Sequence, residues 1–149
     1  MRHALSIVYA TLLCGLFFPL KVLAEVSVIV HPDTPVRALT AEQVSDIYLG
    51  RSRSFDRNNS SNMARITLLE QPDTSPIRAA FYRTLNGMSI SRVTTYWARL
   101  RFSGQFLPPE TLPDSRAILD RIKTDRSAIG YIESQQVDHS VKVVLRLQP

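Results

Sequence analysis

Three side chains stand at a spacing that could do chemistry: Thr74, Ser75 and Arg78, around the first turn of the segment Thr74-Ser-Pro-Ile-Arg-Ala-Ala-Phe81. Hydroxyls at a helix entry, the free N–H groups of Ile77 and Arg78, and a guanidinium one turn in are the parts of a small oxyanion site. The N–H groups carry the positive end of the helix dipole, and arginine meets phosphate or carboxylate with a fork of donors. The same residues equally suit a capped surface helix with no ligand.

Little else in the chain points to chemistry. His31 and His139 have no partner at metal-ligand spacing, and Cys14 is the single cysteine. The sequence contains no H-E-x-x-H, no G-x-S-x-G and no glycine-rich phosphate loop, and no serine lies in a recognisable nucleophile setting. No catalytic residue, no metal and no cofactor are expected.

The elements that would position Thr74, Ser75, Ile77 and Arg78 can be read on either side of them. Ile66-Thr-Leu-Leu69 is a β-prone run, Glu70 to Asp73 is a turn-rich link, and Ile77, Ala80, Phe81 and Leu85 mark the apolar face of a helix. Thr74 or Ser75 caps that helix, Pro76 stands where a missing N–H does no harm, and Gly87 lies just past the end. Strand, tight loop and helix in this order set the helix start at the end of a strand, the usual seat of an anion in an α/β sheet.

Around this unit the reading is strand, helix, strand, three helices, then two strands. Val26 to Val30 is a strand stopped at His31-Pro32. Thr40 and Gln43 have capping-box spacing ahead of a short helix bearing Val44, Ile47 and Tyr48 and ended by Gly50. Arg51 to Met63 is a polar surface loop. Ser89 caps a helix whose stripe is Ile90, Val93, Trp97 and Leu100, so Trp97 is expected in the core rather than stacked on a ligand. Three prolines between Leu107 and Pro113 exclude regular structure there. Asp114 or Ser115 opens a helix with Ile118, Leu119 and Ile122, and strands follow at Ile129–Ile132 and Val141–Leu147. Gly50, Gly87, Gly104 and Gly130 each read as a helix stop or a turn.

Residues 1–24 form a separate unit: a basic start at Met1-Arg-His, an apolar run from Ala4 to Leu20, and Val22-Leu23-Ala24 as a small-residue cleavage site. They read as a secretory signal removed after Ala24, which takes Cys14 with it and leaves a cysteine-free domain over 25–149. An exported domain without disulfides fits a bacterial periplasm. Arg2 and Lys21 leave with the leader, so the remainder carries an excess of about three positive charges over its 13 acids. Most basic residues are arginines spread among acids, as on a solvated surface. Export and the lack of a basic, aromatic-interleaved cluster argue against a nucleic-acid role.

Four stretches, in order, resemble one family. Val28-Ile-Val-His-Pro-Asp-Thr-Pro-Val36, Leu39-Thr-Ala-Glu-Gln-Val-Ser-Asp-Ile-Tyr-Leu-Gly50, Ser75-Pro-Ile-Arg-Ala-Ala-Phe81 and Ala128-Ile-Gly-Tyr131 are similar to segments of the substrate-binding proteins of phosphate ABC transporters. The resemblance implies an α/β fold, a mixed sheet flanked by helices, forming a single lobe of a type 2 periplasmic-binding-protein-like architecture. It implies an exported, non-enzymatic module that binds phosphate or another small oxyanion. Its implied partners are that anion, an ABC permease or other envelope protein, and an assembly, a second copy included, that supplies the facing wall of the cleft. The family's anion loop reads Arg-x-x-x-Ser-Gly-Thr; this sequence keeps Ser75 but has Gln71 for the arginine, Pro76 for the glycine and Ile77 for the threonine. Loss of the fork and one hydroxyl, each a charge-assisted bond worth ~1.5–3 kcal/mol, predicts weak binding. The alternative is a protein-interaction module that kept the lobe and lost the anion.

Overall fold

The computed structural model describes residues 25–55, 65–104 and 106–148. The leader expected at 1–24 and most of the polar loop expected at 51–63 therefore lie outside the described residues. Among the described residues, five strands and four helices run in the order β1 (Val26–Val30), α1 (Ala41–Tyr48), β2 (Thr67–Glu70), α2 (Pro76–Asn86), α3 (Ile90–Phe102), β3 (Glu110–Thr111), α4 (Ser115–Thr124), β4 (Ala128–Glu133) and β5 (Lys142–Leu147), with a 3₁₀ turn at Ser134–Gln136.

The helix ends follow local chemistry. Around α1, Thr40 Oγ1 accepts from the Gln43 N–H at 3.2 Å while Gln43 Oε1 accepts from the Thr40 N–H at 2.8 Å, a complete capping box. Ser75, Ser89 and Asp114 cap α2, α3 and α4 with their side-chain oxygens. Gly87 closes α2 at φ 71°, a left-handed conformation that an L side chain rarely adopts.

The sheet is mixed, with strand order β3-β2-β4-β1-β5. β1 lies antiparallel between β4 and β5, and β2 runs parallel to β4 on one side and to β3 on the other. Both faces are covered, so β1 reads as a continuous apolar run broken only by Ser27. Val26, Val28, Val30, Ile129 and Tyr131 meet α1, α2 and α3 on one face. On the other, Ile29, Ala128 and Ile132 meet Ile118, Leu119 and Ile122 of α4.

The aromatic centre of the larger layer is Phe81. Its ring stacks on Tyr131 with centroids 3.9 Å apart and meets Tyr48 edge-on at 4.8 Å, and all three residues are fully buried. Trp97 is also buried, as its stripe predicts.

Two expectations are corrected. The proline-rich stretch does hold structure: Glu110–Thr111 pairs in parallel with Leu69 and Glu70, and the Leu112 N–H donates to Glu70 O at 2.8 Å. Pro108 and Pro109 precede this strand rather than interrupt it, and an edge position does not need their missing donors. Gly130 is neither a helix stop nor a turn. It sits inside β4 under α4, where a Cβ would stand 2.5 Å from Ile118 Cγ2, so its role is close approach of strand and helix.

Candidate functional site

β2 ends at Glu70, the chain turns through Gln71 to Thr74, and α2 begins at Pro76, so the strand-loop-helix unit forms as its sequence predicts. A cleft of about 230 Å³ opens beside it, walled by Glu70, Asp73 and Arg78 from this unit, by Thr94, Trp97 and Arg101 from α3, and by the β3 approach.

The four predicted residues divide within this unit. Ser75 Oγ accepts from the N–H groups of Ile77 at 3.2 Å and Arg78 at 3.4 Å, and itself donates to Gln71 Oε1 at 2.6 Å. The first two helix donors therefore already have an acceptor. Thr74 is exposed, and its side chain bonds to nothing among the described residues. Arg78 is buried rather than displayed on the helix surface, with only 4% of its area exposed.

Gln71 is more than an uncharged substitute for arginine. It is buried and spans two helix starts: its Oε1 accepts from Ser75, its Nε2 donates to Ser115 Oγ at 2.7 Å, and Ser115 Oγ donates in turn to Glu133. Its backbone N–H also donates to the Tyr131 hydroxyl at 3.3 Å. The chain Ser75-Gln71-Ser115-Glu133 ties α2 to α4 and to the end of β4. A neutral amide can both donate and accept along such a chain, which a guanidinium cannot.

The charge at the site belongs to Arg78. It reaches back along α2 to the end of β2, where its Nη2 lies 3.0 Å from Glu70 Oε1, both side chains being 5% exposed. Its Nη1 donates to Asp73 Oδ1, on a side chain that is 57% exposed. The second Asp73 oxygen accepts from Thr94 Oγ1 at 3.1 Å. Tyr82 OH donates to the other Glu70 oxygen at 3.0 Å. Burial pushes the Glu70 carboxyl up to about 7, against the opposite pull of Arg78 and of the Tyr82 hydroxyl. Among the described residues, two buried side-chain donors at this cleft, Arg78 Nε and Trp97 Nε1, have no hydrogen-bond partner.

The arrangement of elements is similar to that of solved phosphate-binding proteins. A protein of Clostridium perfringens described as a phosphate ABC transporter substrate-binding protein with bound phosphate superposes with a TM-score of 0.64 and 26% identity, over 82% of this chain and 45% of that one. This chain has the fold of one lobe of such a protein. An ABC-type phosphate transport receptor from Vibrio cholerae matches with a TM-score of 0.62 and 21% identity over 83% of this chain and 47% of its own. PstS from Borrelia burgdorferi matches with a TM-score of 0.62 and 14% identity over 83% and 48%. The lobe thus spans about half the length of the solved structures it matches. No protein-family model and no curated relative matches the sequence.

Sequence reasoning found the lobe's loop and missed Glu70, Asp73 and Thr94. Asp73, five residues before Arg78, is a local signal that points to an ion pair across the helix entry. Nothing local marks Thr94, which comes from the next helix.

Proposed function

We propose that this chain is an exported, non-enzymatic binding lobe that takes a small oxyanion, phosphate first among the candidates, at the cleft between the start of α2 and α3. The observation that carries the reading is Arg78: a guanidinium held buried at the end of a parallel strand, with an unpartnered Nε, on the wall of a cleft sized for a small anion. Thr94 supplies a hydroxyl donor, and the turn at Thr74, Ser75 and Ile77 forms the rim. Export follows from residues 1–24 as a leader cut after Ala24, with the domain at 25–149 in the periplasm. Phosphate binding by the Clostridium perfringens protein supports the ligand class. An ABC permease or another envelope chain is the partner this reading implies, and a second wall for the cleft comes from that partner or from a second copy.

Binding is weak in this reading, because Ser75 already caps the helix N–H groups and two carboxylates already face Arg78. A phosphate titration followed through the amide signals of Ser75, Ile77, Arg78 and Thr94 tests it. Saturable shifts in the millimolar range are expected, and none by about 10 mM overturns the reading.

A second reading has its own observation. Phe102 and Leu107 are 91% and 78% exposed, with Arg99 and Arg101 beside Phe102. Large apolar side chains left in water next to arginines suit a protein contact, and interfaces favour aromatic residues and arginine. Crosslinking to an envelope protein, lost on Phe102→Ser with Leu107→Ser, would support this reading.

A further inference from the structure

Resting on the oxyanion reading, we infer that the Asp73 carboxylate occupies the oxyanion position of this lobe and is a built-in competitor that an incoming anion displaces. One oxygen of Asp73 takes Arg78 Nη1 and the other takes Thr94 Oγ1 at 3.1 Å. A single carboxylate thereby holds one donor from α2 and one from α3, which is how a bound phosphate or sulfate would bridge them.

The two sides of this contact differ in a way that favours exchange. Arg78 is anchored independently of Asp73: it is buried, and its Nη2 is held by Glu70 at 3.0 Å, through a different nitrogen from the one Asp73 takes. Asp73 sits on the solvent side, on a turn whose backbone closes without it, through the Ser75 N–H donating to Pro72 O at 2.9 Å. A rotation of its side chain frees Nη1 and the Thr94 hydroxyl without moving the helix. The freed position opens into the cleft, where Arg101 adds a positive charge that forms no ion pair among the described residues. Displacement exchanges one anion for another on the same donors, so Arg78 has an anionic partner on Nη1 both before and after the exchange.

The charge arithmetic supports this. With Asp73 in place, one guanidinium faces two carboxyl groups, and a dianion arriving there is repelled. With Asp73 turned out, Arg78 faces only Glu70, whose carboxyl burial pushes up to about 7, so that near neutral pH it is partly protonated. The Asp73 side of this pair is 57% exposed, so water and salt screen it and a free anion in the millimolar range competes with the carboxylate from the solvent side.

The test compares the full processed chain with Asp73→Asn, titrated with inorganic phosphate and with sulfate by calorimetry and NMR. Asparagine keeps the shape and removes the competing charge, and the expected gain in affinity is about tenfold or more. Adding Thr94→Val to Asp73→Asn is expected to take back part of that gain, while Arg146→Ala, on β5 at the opposite edge of the sheet, leaves it unchanged. Equal affinity in wild type and Asp73→Asn overturns the competitor and leaves the oxyanion reading standing. Binding by Asp73→Asn alone shows a carboxylate that free phosphate does not displace, which overturns displacement and, with it, phosphate binding by the wild-type lobe. No binding by either at about 10 mM overturns both. If Asp73→Asn fails to fold, the carboxyl carbon of Asp73 in the wild type gives the answer: saturating sulfate moves it to the position of a solvated carboxylate, and an unmoved signal sinks the inference.

Discussion

The guanidinium of Arg78 and the carboxyl of Glu70 face each other 3.0 Å apart with 5% of each side chain exposed, so the lobe buries an ion pair at the end of its parallel strand. Such a pair adds little stability by itself, because desolvation offsets the attraction. It does fix where the positive charge of the cleft sits, with Tyr82 holding the second Glu70 oxygen.

Burial of the Glu70 carboxyl, which outweighs the opposite pull of Arg78, makes stability depend on pH. Folded, Glu70 keeps its proton up to about 7, whereas its ordinary value is 4.5. Between these values the folded state binds more protons than the unfolded one, so stability falls as pH rises through the window. Across it, denaturant melts are expected to lose up to ~3 kcal/mol from this group. Glu70→Gln should flatten that slope. A wild-type slope matched by the variant would assign the effect to other groups.

Anion binding should share the same titration. Below about pH 7 a protonated Glu70 leaves Arg78 with more uncompensated charge, so sulfate, which does not itself titrate here, should bind more tightly at pH 6 than at pH 8. Calorimetry at the two values checks the sign, and Glu70→Gln should remove most of the difference.

Phe81 holds the aromatic centre between α1, α2 and β4. Phe81→Ala would strip one face from Tyr131 and an edge from Tyr48, at a cost of ~3–5 kcal/mol by urea melts. A loss under about 1 kcal/mol would mean that the cluster closes over the gap.

Gly130→Ala would drive a methyl group into Ile118 Cγ2 at 2.5 Å, in a strand and helix that are both tightly packed. Destabilisation of ~1–3 kcal/mol is expected. Ile118→Ala opens the space, so the double variant should cost less than the two single changes added together. Strict additivity would show that the strand, not the side chain, yields.

Processing of the leader has its own measurement. Intact mass of protein recovered from the native envelope is expected to begin at Glu25, and a full-length cytoplasmic species would remove the compartment from the reading.

What the sequence reveals and hides follows from distance along the chain. The Ser75 cap, the Thr40–Gln43 box and the Gly87 stop are legible because each involves residues within a few positions of one another. The core faces of α2 and α3 are legible because Phe81 and Trp97 obey helical period. Gln71 was read only as a charge that had been lost, because its partner Ser115 lies 44 residues away and the Glu133 that completes the chain lies further still. Thr94 was invisible for the same reason, 21 residues from Asp73. β3 escaped notice because prolines beside a two-residue strand look like prolines within it, and Gly130 because its requirement comes from α4 and not from its own backbone.

The margins of the sheet carry a final consequence. On one side the outermost strand is only Glu110–Thr111, entered through Pro108 and Pro109. On the other, the Leu39 N–H donates to Val144 O at 2.9 Å and Lys142 Nζ donates to Thr34 O, so the segment ahead of α1 lies along β5. The first border is too short to offer a long row of free peptide groups and the second is partly covered at Val144, so zippering edge to edge with a neighbouring chain is discouraged. A companion of this lobe therefore finds its larger surfaces in side chains on the helices and loops. At high protein concentration, this guards the fold against recruitment into extended β-aggregates.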